Sequence, residues 1–263
     1  MKPLQAFFWV PLEHQPLLRE LGLTESEQIF TDPRIVPWRS IPERDNCTFD
    51  ATLGDGQPIR LHIKRYQPMW APKPPAELEA DGMLSLQLAK IPTAPLIAWG
   101  KMADGRSFLI TRDLAGYRPA DKIIQSGTPF ARLLESTADL AARLHTAELH
   151  HRDLYLCHFL VKFNSELADL KLIDAGRVRR MPGWPFRNRW IVKDVAQFCY
   201  SAAQLKVPAD QLDRWLERYA RQRKLETVDS LRRAVQRKVA WIAKHDAKLQ
   251  AKQPNRNVSL PGT

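Results

Sequence analysis

The stretch HHRDLYLCHF, residues 150–159, constrains this chain more than any other. It holds three histidines, an arginine, an aspartate and a cysteine in ten positions. It follows a segment, TPFARLLESTADLAARLHTAEL, in which Phe130, Leu133, Leu134, Leu140, Ala141 and Leu144 recur at helical spacing after a Thr-Pro start. It precedes HFLVKF and LKLIDAG, which read as a short hairpin around NSELAD. A helix, a polar loop and a hairpin must therefore share one core. Such a loop can be a phosphoryl-transfer site, a metal site, or a run of polar residues in a core.

The flanking sequence has two characters. Residues 45–66 predict two strands around an LGDG turn, with Ile59, Leu61 and Ile63 alternating with polar residues and Lys64 on the opposite face. A Pro-rich connection, QPMWAPKPPAE, leads to a helix in AELEADGMLSLQLAK that turns Leu78, Met83, Leu86 and either Leu88 or Ala89 inward. APLIAWGKM and SFLITRDL read as two strands joined at 103–105. After the central motif the chain is helical, at 193–205, 208–223 and from Thr227 to about Lys252. The expected fold class is α+β, a small β-rich lobe over 1–113 and a mainly helical lobe over 114–255. A loose tail is expected at 256–263.

The chain has 263 residues and a formal charge of +11. That excess suits anionic partners such as phosphorylated substrates or lipid headgroups, or only a basic soluble surface. No RNA-binding signature accompanies it, so no nucleic-acid partner is expected. Cys47, Cys157 and Cys199 are odd in number and widely spaced, which suits a reducing compartment. MKPLQAFFWVPLEH lacks a small-residue cleavage site and reads as a packing or surface-anchoring segment. No run approaches the roughly 20 apolar residues of a transmembrane helix.

Phosphoryl transfer needs few parts. A carboxylate orients the attacking hydroxyl, and a second holds Mg²⁺. A lysine meets the nucleotide phosphates, and an acid holds that lysine. The chain offers each in order: Lys64 ending a strand, Glu79 on the next helix, Asp153 in the loop and Asp174 after the hairpin. Two features depart from protein kinases. WRSIPERDNCTF stands where a glycine-rich phosphate loop would be, and His158 occupies the position usually held by Asn. Imidazole suits Mg²⁺ poorly. His145, His150 and His151 show no metal-ligand spacing.

LHTAELHHRDLYLCHFLV closely resembles the catalytic segment of the bacterial lipopolysaccharide core heptose kinases, the Kdo/WaaP-type branch of the protein-kinase-like superfamily. That family has Cys-His-Phe where this chain has it. IRLHIKRY, SFLITRDL, LKLIDAGRVR and RWIVKDVAQFCYSA resemble its other segments, so the likeness covers about residues 45–205. Ala89-Lys90 replaces the usual Leu-Gly.

The resemblance implies a two-lobed kinase-like fold, ATP and Mg²⁺ as cofactors, and a sugar of the lipopolysaccharide inner core, foremost a heptose, as acceptor. It implies catalytic roles for Asp153 with Arg152 and His151. Lys64, Glu79 and His158 would bind the nucleotide. Asp174, with His158, would hold the metal. Arg177 would contact phosphate or brace the loop, and Asp194, opening a helix, would accept hydrogen bonds from the loop backbone.

Arg179, Arg180, Arg187 and Arg189, with Trp184 and Trp190, would form a saccharide platform. The basic segment from Thr227 has an apolar stripe of Leu231, Val235, Val239, Ile242 and Leu249. It would pack as a lobe helix or lie on an anionic membrane. The expected location is the cytoplasm, with room for peripheral attachment to the inner membrane face. The alternatives are a kinase for another small-molecule or protein acceptor, and an inactive pseudokinase acting as a membrane-associated binding protein.

Overall fold

The computed structural model describes residues 5–69, 71–164 and 167–252. The tail expected at 256–263 and the centre of the NSELAD turn lie outside the described residues. The chain divides into two compact units. The first comprises residues up to Leu84 together with Ala94–Ala115, and the second comprises Ser85–Thr93 with the chain from Gly116 onward.

The first unit runs β1 (Phe7–Trp9), α1 (Gln15–Leu21), α2 (Gln28–Thr31), β2 (Ile35–Ile41), β3 (Arg44–Thr52), β4 (Pro58–Tyr66), α3 (Pro75–Leu88), β5 (Leu96–Lys101) and β6 (Ser107–Arg112). The strands form one sheet in the order β1-β5-β6-β4-β3-β2. Alternation divides its faces. Cys47, Phe49, Leu61, Ile63 and Ile110 pack with Leu18, Leu21 and Ile29 in one apolar core. Asn46 pairs with Lys64, and Thr48 with His62, on the other face.

The β3–β4 hairpin is the one the alternation predicts. Gly56, at φ +82°, supplies the left-handed turn residue. The N-terminal apolar run forms a strand, with Phe8 opposite Gly100. A side chain at Gly100 would meet the Phe108 ring at 2.5 Å and the Phe7 carbonyl at 2.6 Å, so only glycine seats β1 there. Pro37 lies on β2, which ends the sheet, beside a register shift between Pro37 and Arg39. In α3, Met83 and Leu86 are buried, but Leu88 is 85% exposed because the helix ends there.

The second unit runs β7 (Arg118–Pro119), α4 (Ala120–Gln125), α5 (Ala131–Thr146), β8 (Leu149–His150), β9 (Phe159–Asn164), β10 (Leu167–Leu172), β11 (Arg179–Arg180), α6 (Arg187–Gln204), α7 (Ala209–Gln222) and α8 (Asp229–Lys252). Pairing of Leu167 with Asn164 puts most of the expected NSELAD turn inside the strands. Phe198 stacks on Trp215 at 4.3 Å, and Trp215 on Tyr219 at 5.6 Å, which fixes α6 against α7. Leu231, Val235 and Ile242 of α8 are buried, so these residues of its apolar stripe pack inside the unit. No described helix is long and apolar enough to cross a membrane.

Candidate active site

In the first unit, β-pairing sets Lys64 opposite Asn46 on the polar face of the sheet. Its Nζ donates to Glu79 Oε1 at 2.6 Å. Glu79 is buried on α3, and its Oε2 accepts from the Tyr66 hydroxyl. A carboxylate withdrawn from water needs both partners. Sequence reasoning singled out Lys64 and Glu79 but missed Tyr66. Its signal was the two-residue spacing from Lys64 on one strand face. His62, on the same face, pairs with Asp113 at 2.7 Å. The segment expected to replace a glycine-rich loop is the β2–β3 hairpin. Ile41 pairs with Arg44 across Pro42 and Glu43. Proline brings no N–H, so this turn offers a phosphate fewer backbone donors than a glycine loop.

In the second unit, α5 leads through β8 into the His-Arg-Asp loop. One stripe of α6 holds that loop. Asp194 accepts the backbone N–H groups of His151 at 2.6 Å and Arg152 at 2.7 Å. Gln197 accepts from Leu154 N–H at 3.2 Å, and Ser201 from Leu156 N–H at 3.0 Å. The spacing 194, 197, 201 places all three on one helical face. Asp194 lies inside α6, since the helix begins at Arg187 and not near it as expected. Gln197 and Ser201 escaped notice, although polar residues at that spacing on a buried face were the available signal. Burial acts to raise the Asp194 pKa, but the His145 hydrogen bond and charge, with His151, hold it below the usual carboxylate value.

Asp153 and Asp174 sit on the two sides of His158. The His158 Nδ1–H donates to the Asp153 carbonyl at 2.6 Å, since a carbonyl can only accept, and Nε2 stands 3.5 Å from Asp174 Oδ2. Burial opposes charge on this imidazole, but Cys157, the Asp174 carboxylate and the Asp153 carbonyl raise its pKa to about 9. Asp174 has a left-handed backbone, at φ +62°. Arg177 Nη1 lies 3.1 Å from both carboxylate oxygens of Asp153. Of its two expected roles, the geometry shows the brace.

Two further expected catalytic side chains, His151 and Arg152, make contacts within the fold. His151 has no exposed surface, and its Nε2–H donates to the Ile173 carbonyl at 3.0 Å, beside Asp174. That bond ties the loop to the segment that carries Asp174. Arg152 lies over the Trp190 ring at 4.6 Å, and burial, then Arg177 and Arg179, lower its pKa. Trp190 also stacks on His150 at 4.8 Å, and Arg187 pairs with Glu148. Trp190 and Arg187, both expected in the sugar platform, thus also have partners within the fold.

Asp174 fits a hard divalent cation such as Mg²⁺, which is commonly held by one or two carboxylates with substrate phosphates and water. Among the described residues no group of three or more His, Cys, Asp or Glu gathers as a self-sufficient metal cage. Cys47, Cys157 and Cys199 are buried free thiols.

A sheet with a strand lysine tied to a helix glutamate, and a helical unit with an Asp-bearing loop beside a second aspartate, define a protein-kinase-like fold. The sequence model of the lipopolysaccharide kinase (Kdo/WaaP) family matches residues 38–219, and the chain belongs to that family. It is similar to the lipopolysaccharide core heptose(I) kinase WaaP of Pseudomonas aeruginosa, 29% identical over 161 residues. That match covers 56% of this chain and 59% of the relative. It is also similar to the Escherichia coli protein of the same name, 30% identical over 91 residues, covering 33% of this chain and 34% of that protein. The matched stretches thus span little more than half, and about a third, of those relatives' lengths.

Proposed function

We propose that this protein transfers the γ-phosphate of ATP to a sugar hydroxyl of the lipopolysaccharide inner core, with a heptose as the acceptor. The observation that carries the reading is the placement of Asp153 and Asp174 on either side of His158, with Asp153 oriented by Arg177. Asp153 would accept the proton of the attacking hydroxyl. Asp174 would hold Mg²⁺, which when bound neutralises phosphate charge. Lys64, kept extended by Glu79, would meet nucleotide phosphates. His158 would hold the two aspartates in register at the metal or phosphate edge. Catalysis of this type is positioning and electrostatic stabilisation, which matches how little of the site is reactive and how much is bracing.

The names of the two curated relatives support a heptose acceptor. The test is incubation of the purified chain with ATP, Mg²⁺ and a heptose-containing core acceptor, followed by mass measurement of the saccharide. A gain of one phosphate that disappears in Asp174→Asn supports the proposal. Transfer only to acceptors without heptose would refute the sugar assignment.

A further inference from the structure

One cation beside the catalytic loop takes no part in bracing it. Lys193, on α6, is half-buried. It lies between Trp190 and Gln197 on the stripe of α6 that faces the His-Arg-Asp loop. Its Nζ stands 5.4 Å from the centroid of the Trp190 ring, the same ring that carries Arg152 and His150. The next residue, Asp194, accepts the N–H of Arg152, and Gln197, one turn on, accepts the N–H of Leu154. Those are the two chain neighbours of Asp153. Lys193 therefore stands on the helix face against which Asp153 is presented. Burial, and then the charge of Arg177, lower its pKa, while Asp153 and Asp194 act to raise it, which agrees with that placement.

A phosphoryl group in transfer spreads negative charge over its oxygens, and cations placed where that charge gathers lower the barrier. The loop supplies no cation directly after Asp153, because Leu154, Tyr155, Leu156 and Cys157 separate it from His158. The other cations at hand have partners. Arg177 holds Asp153, Arg152 lies over Trp190 with its Nε buried, and His158 faces Asp174. Among the described residues no carboxylate forms an ion pair with Lys193. An ammonium partly withdrawn from water and without an anion of its own gains from a bound anion.

We propose that Lys193 is a further catalytic residue, whose ammonium meets the phosphoryl group as it passes to the acceptor hydroxyl beside Asp153. The inference rests on the kinase reading above and adds a residue to it. In the step, the hydroxyl oxygen bonds to the γ-phosphorus as the bond from that phosphorus to the β,γ-bridging oxygen breaks. Asp153 takes the hydroxyl proton, and ADP leaves with the bridging electron pair. Lys193 makes and breaks no covalent bond; it donates hydrogen bonds to a non-bridging oxygen.

The test is calorimetric titration of the full chain with Mg²⁺ and ADP, with and without aluminium fluoride, whose planar fluoroaluminate mimics the phosphoryl group in transfer. Wild-type protein is expected to hold ADP–fluoroaluminate more tightly than ADP. Lys193→Met keeps the aliphatic stem along Trp190 and removes the charge, and Lys193→Gln is a second neutral variant. Both should bind ADP–fluoroaluminate about a hundredfold more weakly than the wild type, with ADP affinity and melting temperature unchanged. Variants that hold ADP–fluoroaluminate as the wild type does would overturn the proposal, and a raised KM for the core acceptor in them would place the ammonium on the acceptor instead. An equal loss of ADP affinity would also overturn it, because Lys193 would then shape the site and not serve the transferring group. No acceptor is present in the titration, so its result stands whichever sugar is phosphorylated. Failure of the wild type itself to prefer ADP–fluoroaluminate would remove the kinase reading along with the proposal, whereas wild-type preference with unaffected variants would remove Lys193 alone.

Discussion

Asp194 accepts the backbone N–H of Arg152 at 2.7 Å, at a residue held at φ +71°. A non-glycine residue in that region is strained and persists only where its surroundings fix it. The fully buried carboxylate supplies that constraint, and so sets the direction in which Asp153 leaves the loop. Asp194→Asn keeps the shape but puts an amide donor beside backbone donors. It should cost about 3 kcal/mol of stability by chemical denaturation and lower kcat about a hundredfold, with KM for ATP little changed. Unaltered kcat in a folded variant would show that the loop holds itself.

Glu79 is shared between Lys64 and Tyr66. Lys64→Met should reduce ATP turnover by about a hundredfold, by removing charge from the phosphates. Glu79→Ala should do so too and also destabilise the first unit by about 3 kcal/mol, since it removes the buried carboxylate that both groups bond. Denaturant titration beside nucleotide-binding titration separates the two effects. Nucleotide affinity that is the same in all three proteins would remove Lys64 from the site.

Arg177 braces Asp153 from an exposed position, its side chain 54% accessible. An exposed ion pair contributes at most about 1 kcal/mol to stability. Arg177→Ala should therefore leave the melting temperature nearly unchanged while kcat falls tenfold or more, on the order expected for lost orientation of a catalytic group. A variant with normal kcat and raised KM for the acceptor would instead assign Arg177 to substrate phosphate.

His150 is buried against Trp190, and burial lowers its pKa to about 4 from an ordinary 6.5, outweighing the pull of Asp194. Between those values the unfolded chain binds a proton that the folded chain refuses. Stability contributed by neutral His150 is therefore complete above pH 6.5 and falls as the pH drops towards 4, by about 3 kcal/mol across the window. His150→Phe keeps a ring on Trp190 and removes the titration. Its unfolding free energy should lose correspondingly less over that range, and a parallel pH profile would contradict the assignment.

The sequence made some of this legible and hid the rest for physical reasons. Alternation and a turn glycine marked the β3–β4 hairpin, because β4 has one buried face, whereas β5 and β6, buried on both faces, stood out as short apolar runs joined at 103–105. Lys64, Glu79, Asp153 and Asp174 stood out because phosphoryl transfer needs those groups in that order. Phe7–Trp9 gave no sign of pairing, because a three-residue strand is fixed by its partner and by Gly100 across the sheet. The packing of His151 and Arg152 was hidden because a tripeptide does not reveal which side chains point inward. Gln197 and Ser201 escaped notice because polar residues on a buried helix face gain meaning only with the loop they hold.

The most direct test of the central claim is phosphate transfer from ATP to a heptose-bearing core acceptor, wild type beside Asp153→Ala. Loss of the Asp153 carboxylate should cut kcat by about a hundredfold or more, while ATP binding persists. Equal transfer by both proteins would show that Asp153 is not the group that receives the hydroxyl proton.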